Sequence, residues 1–97
     1  MISITSIRVD GKTCTGMRTD LPNSPPLLLI AGEKGFLMCG FLNMESAEKL
    51  EVAAAVISGV KTFEDVLNGQ VKAATTKAKA LGVEVGMKGT DALKHFA

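Results

Sequence analysis

Cys39 sits late in the apolar run Phe36–Leu42 and is followed by Gly40, where a missing side chain lets a ligand or another backbone come close. A thiol becomes a nucleophile when an imidazole, a cation or a helix N-terminus lowers its pKa. The chain has one histidine, His95, so a Cys39–His95 pair is the thiol chemistry open to it, although nothing in the spacing demands one. The plainer reading is a small hydrophobe packed within a sheet, because free cysteine is among the most buried residue types. Cys14 has no supporting neighbours and reads the same way.

A second candidate is the turn Gly86-Met87-Lys88-Gly89-Thr90. A glycine-rich loop running into a helix N-terminus presents free amides to an anion, and Lys88 adds charge. The segment is a fragment of a phosphate loop and lacks its full spacing. A tight turn with a helix cap also explains it, with Gly86 and Gly89 supplying backbone freedom. Asn43, Glu45 and Glu48 follow the central strand and can face a cleft there, but acidic residues in a first helical turn are already favoured by the helix dipole. One histidine and two well-separated cysteines fit no metal spacing, so no metal and no cofactor is implied.

The rest of the sequence must position these groups. It has 97 residues, 46% hydrophobic and 22% charged, with a net charge of +1. Such a balance gives no excess to neutralise phosphates, so nucleic acid is not an implied partner. The longest apolar runs, Leu27–Ala31 and Val52–Ile57, fall far short of the roughly 20 residues that span a bilayer. The first residues lack the basic stretch and apolar core of a signal peptide. Two cysteines are too few for a disulfide framework, and together these features point to a reducing cytoplasm. Tryptophan and tyrosine are absent, yet aliphatic content is high for so small a body. That excess predicts apolar surface buried against further copies of the chain.

The first half reads as strands. Ile2 and Ile4 alternate in one phase and Ile7 and Val9 in the other, which predicts a bulge near Thr5–Ser6 or burial on both faces. Asp10-Gly11 signals a two-residue hairpin. The return strand runs to about Leu21, before Pro22, Pro25 and Pro26 stop it. Leu27–Ala31 and Phe36–Leu42 form a central pair around Gly32-Glu33-Lys34-Gly35. Beyond Ser46 the period changes. Helices are predicted from Ser46 to Ala54, from Thr62 to Asn68, and over Gln70–Leu81, where Val71, Ala74, Ala78 and Leu81 share a face. One strand, Val56–Val60, lies among them, and Thr90 caps a last helix through Phe96. Residues 1–97 are therefore expected to form one α+β domain with a mainly antiparallel sheet. Residues 1–43 are its β-rich part, and 44–97 are mainly helical with one strand.

Three blocks, Gly35–Asn43, Ser58–Leu67 and Leu81–Leu93, resemble in order and spacing the YunC-like family of small bacterial and archaeal proteins of unknown function. The Met38-Cys39-Gly40 strand and the Gly86-Met87-Lys88-Gly89 turn carry most of that likeness. The resemblance implies an α+β fold whose N-terminal β region, here 1–43, serves tetramerisation. It implies no activity. A homo-oligomeric scaffold or partner-binding protein is thus the leading expectation. A small-molecule or anion-binding protein, or an enzyme, with its site near Cys39 and the Gly86–Thr90 turn is the alternative.

Overall fold

The computed structural model describes residues 2–24, 26–39 and 44–97. Strands β1 (Ile2–Val9) and β2 (Lys12–Thr19) form a hairpin, followed by β3 (Leu27–Ala31) and β4 (Phe36–Met38). Helix α1 (Met44–Lys49) then crosses to β5 (Ala54–Val56). Helix α2 (Phe63–Asn68), strand β6 (Ala73–Ala74), α3 (Thr76–Ala80) and α4 (Gly89–Phe96) complete the chain. All six strands join one sheet in sequence order. Its pairings are antiparallel except β4–β5, the one parallel pair, which needs the α1 crossover. The fold is α+β.

Local chemistry accounts for the first half. Asp10 and Gly11 lie at φ 52° and 78°, the two positive values that a type I′ turn requires. The β1–β2 register runs unbroken from Ile2↔Thr19 to Val9↔Lys12, so no bulge forms at Thr5–Ser6. The phase change in β1 is a switch of faces. Val9 is buried and Ile7 packs against the core, whereas Ile2 and Ile4 stand on the opposite face, 65% and 67% exposed.

The two faces differ sharply in cover. On one, Cys14, Leu28, Ile30, Leu37 and Ile57 meet Val66, Leu93 and Phe96 from α2 and α4, forming the main core. On the other, α1 covers only the β4–β5 end, where Met38, Ala47 and Ala54 make a small second cluster. The register continues that cluster outward as a ladder, Met38–Leu29–Met17–Ile4, with no helix above its far end. The other side chains on this face of β1 to β4 are apolar or are Ser6, Thr13, Thr15 and Thr19, with one charge, Arg8, next to the β1–β2 turn.

Several elements depart from the sequence expectation. Gln70–Leu81 is not one helix, and residues 44–97 contain two strands rather than one. The amides of Val71, Lys72 and Thr75 donate to Met87, Val56 and Ala54 carbonyls, so strand pairing overrides a helical apolar period. Helix begins only after Thr75, whose hydroxyl accepts from the Ala78 amide. The strand expected at Val56–Val60 lies at Ala54–Val56, and the helix expected from Ser46 to Ala54 is the shorter α1. Thr90 does not cap the last helix. Lys88 holds the cap position without a side-chain bond, and the Thr90 hydroxyl donates to the Leu67 carbonyl at 2.9 Å. The continuation of β4 through Leu42 lies outside the described residues.

Candidate functional site

Cys39 follows the last residue of β4 and is 3% exposed. Its amide donates to the Leu28 carbonyl at 3.1 Å, and its sulfur accepts from the Leu28 amide at 3.4 Å. The thiol is therefore a packed part of the sheet. Cys14 is buried on β2, and burial pushes its thiol pKa up. Both cysteines are free.

His95 stands in the last turn of α4 with its ring on Gly82, where a Cβ would lie 2.9 Å from Cε1. The neighbouring Phe96 ring packs at Gly35, before β4 begins. From Gly35 to Cys39 the strand covers about 13 Å, at roughly 3.3 Å per residue. The imidazole and the thiol thus sit towards opposite ends of β4, and the structure does not bring them together.

The Gly86–Thr90 turn is stitched to the chain before it. Gly86 donates to Val71, Met87 to Glu84 and Gly89 to Gly69, while Val71 donates back to Met87. Gln70 and Lys88 form an isolated bridge. Gly86 has φ +92°, and a Cβ on the buried Gly89 would collide with the Val66 carbonyl. Both glycines are thus required by the backbone. Three of the amides that an anion would use are committed, and Lys88 remains exposed. Ile57 lies between this turn and Cys39: its side chain is 2.9 Å from where a Gly89 Cβ would be, and extending the β4–β5 register places it beside Cys39.

Of the acidic candidates, Asn43 lies outside the described residues and Glu45 is in the first turn of α1. Glu48 has a structural partner. Both its oxygens accept from the Thr76 amide, at 3.1 and 3.2 Å, and so it helps cap α3. Among the described residues no group of three or more His, Cys, Asp or Glu could hold a metal.

Sequence reasoning missed a groove at the other end of the sheet. A hollow of about 360 Å³ lies between the Gly32–Gly35 turn and residues 51–53. A second, of about 320 Å³, continues it towards α3 and shares Lys34, Glu51 and Ala53. The loop between is built by the end of α1. Val52 donates to the Ala47 carbonyl and Glu51 to Glu48, a Schellman pair that puts Glu51 at φ +57°. Three segments far apart in sequence make this groove, and no linear motif announces it.

Residues 38–96 match the family model of DUF1805, a domain of unknown function. The uncharacterized protein YunC of Bacillus subtilis is 30% identical, the match spanning 96% of this chain and 95% of YunC. The chain belongs to the YunC-like, DUF1805 family. A crystal structure of a protein of unknown function from Thermoplasma acidophilum is 37% identical, covers 100% of this chain and 94% of its own, and superposes with a TM-score of 0.94. This YunC-like chain therefore shares its relative's fold across both the β-rich part and the helices. No helix among its described residues is long and apolar enough to cross a membrane.

Proposed function

We propose that this YunC-like chain is a cytoplasmic homotetramer, a scaffold or partner-binding protein assembled through β1 to β3 by further copies of itself. The observation that carries this reading is the open β1 edge beside an uncovered face whose one charge, Arg8, lies at the hairpin end. An edge strand offers unpaired N–H and C=O groups to any partner strand, and a second copy of β1 supplies the complementary row. From Ile2 to Ile7 the strand has no charge, so antiparallel copies bring no like charges together across that stretch. Loss of charge at the centre is also what marks the buried part of protein interfaces.

Sedimentation velocity at micromolar concentration tests the assembly. A tetramer that Ile4→Lys dissociates into folded smaller species is the expected result. A wild-type monomer at that concentration removes the reading. The alternative, anion or small-molecule chemistry at Cys39 and the Gly86–Thr90 turn, retains the exposed Lys88 ammonium as its support. Phosphate binding lost in Lys88→Ala would favour it, and Cys39 alkylating no faster than free cysteine near pH 7 argues against thiol catalysis.

A further inference from the structure

The groove between the β3–β4 turn, residues 51–53 and α3 carries charges of both signs that no ion pair among the described residues neutralises. Lys34 and Glu51 line both of its hollows, and Lys77 lines the second. Among the described residues the ion pairs are Arg18–Asp20 and Lys94–Asp91, so none of these three side chains is paired. Phe36 and Val52, both half-buried, give the larger hollow an apolar wall. A volume of about 360 Å³ is at the lower end of small-molecule pockets.

Glu51 adds a second, independent observation. It occupies the left-handed position after α1, which glycine fills without strain and asparagine tolerates. Among the described residues the other non-glycine positions at positive φ are Asp10 and Asn23, the types that adopt this conformation most readily. Glu51 therefore strains the loop, and among the described residues its carboxylate makes no hydrogen bond or ion pair that would offset the strain. Residues held in such conformations cluster where a ligand is bound.

We infer that this groove binds a small zwitterion of the α-amino-acid type with an apolar side chain. Its carboxylate meets Lys34 and Lys77, its ammonium meets Glu51, and its side chain lies along Phe36 and Val52. The inference is independent of the assembly proposed above, because the monomer itself carries all the residues it uses.

Titration calorimetry with the full chain tests it, using L-leucine, L-methionine and L-phenylalanine as probes. 4-Methylpentanoate and isoamylamine serve as leucine analogues lacking one charge each. At least one amino acid binds with submillimolar Kd, and when that ligand is leucine each analogue is at least 10-fold weaker. Glu51→Gly raises the urea midpoint of the unliganded protein and weakens the amino acid at least 10-fold. Lys77→Ala also weakens it, without the gain in stability. Failure of all three amino acids to bind below 10 mM overturns the inference, as does undiminished binding by Glu51→Gly. Tighter binding of a single-charge analogue than of leucine overturns it too.

Discussion

The two edges of the sheet are built on opposite plans. At one end β6 is two residues long, half-buried, and passes directly into Thr75 and α3. Its short edge and adjoining helix are the usual protections against a foreign strand. At the other end β1 runs for eight residues, exposed from Ile2 to Ser6, with isoleucines 65% and 67% exposed on the uncovered face. One end of the molecule is finished by its own chain. The other is left open by its own chain, beside a face whose one charge is Arg8 at the hairpin end.

The largest test of this contrast strikes the face that the chain covers itself. Phe96 is fully buried between α4 and the sheet, and its ring fills the space beside Gly35. Phe96→Ala should cost about 3–5 kcal/mol through lost burial and the cavity left behind. Urea unfolding at fixed protein concentration measures it, since assembly also shifts apparent stability. A cost below about 1 kcal/mol would mean that this region is not the self-sufficient core described here.

Next in size is Ile4→Lys at the open end. A lysine on each copy's uncovered face should weaken assembly about 100-fold or more, near 2.7 kcal/mol. The monomer should change by no more than about 0.5 kcal/mol, because the side chain is exposed there. Circular dichroism and sedimentation separate the two effects. Equal damage to fold and assembly would erase the distinction between the two ends.

Thr75 sharpens the comparison from the closed edge. It is fully buried, accepts from the amides of Ala54 and Ala78, and donates to the Val52 carbonyl at 2.8 Å. Thr75→Val keeps the shape and leaves those groups without their partner, so a loss of about 2 kcal/mol is expected in urea unfolding. A neutral result would show that β6 needs no such fastening.

What could be read in the sequence follows the reach of the interactions. Asp10-Gly11 and Pro22-Asn23 set turns through their own dihedral limits, so the hairpins are legible. Gln70–Leu81 carries a helical apolar period, but the partners of Val71, Lys72 and Thr75 are carbonyls at 87, 56 and 54, which no local pattern reveals. The buried faces of Val71 and Ala78 were still anticipated correctly, since both enter the core. Cys39 and the Gly86–Thr90 turn stood out as residue types, but the Leu28 bonds of one and the Val71 and Gly69 bonds of the other exist only after folding. Glu48 as the cap on Thr76, and the groove around Glu51, likewise join elements that no local pattern links.

The smallest expected effect is also the one that qualifies the contrast. Glu51 lies in the otherwise self-contained half, yet its φ of +57° is a conformation that glycine adopts at no steric cost. Glu51→Gly should therefore stabilise the unliganded chain by about 0.5–1 kcal/mol, the gain from relieved left-handed strain less the added freedom of the unfolded glycine. An upward urea midpoint would show that this half retains a suboptimal residue, as sites that bind ligands commonly do. A lower midpoint would mean that the Glu51 side chain supports the α1–β5 loop, and the strain would then have a structural cause. The groove would lose its strongest mark of function, and the closed half would be closed in every respect.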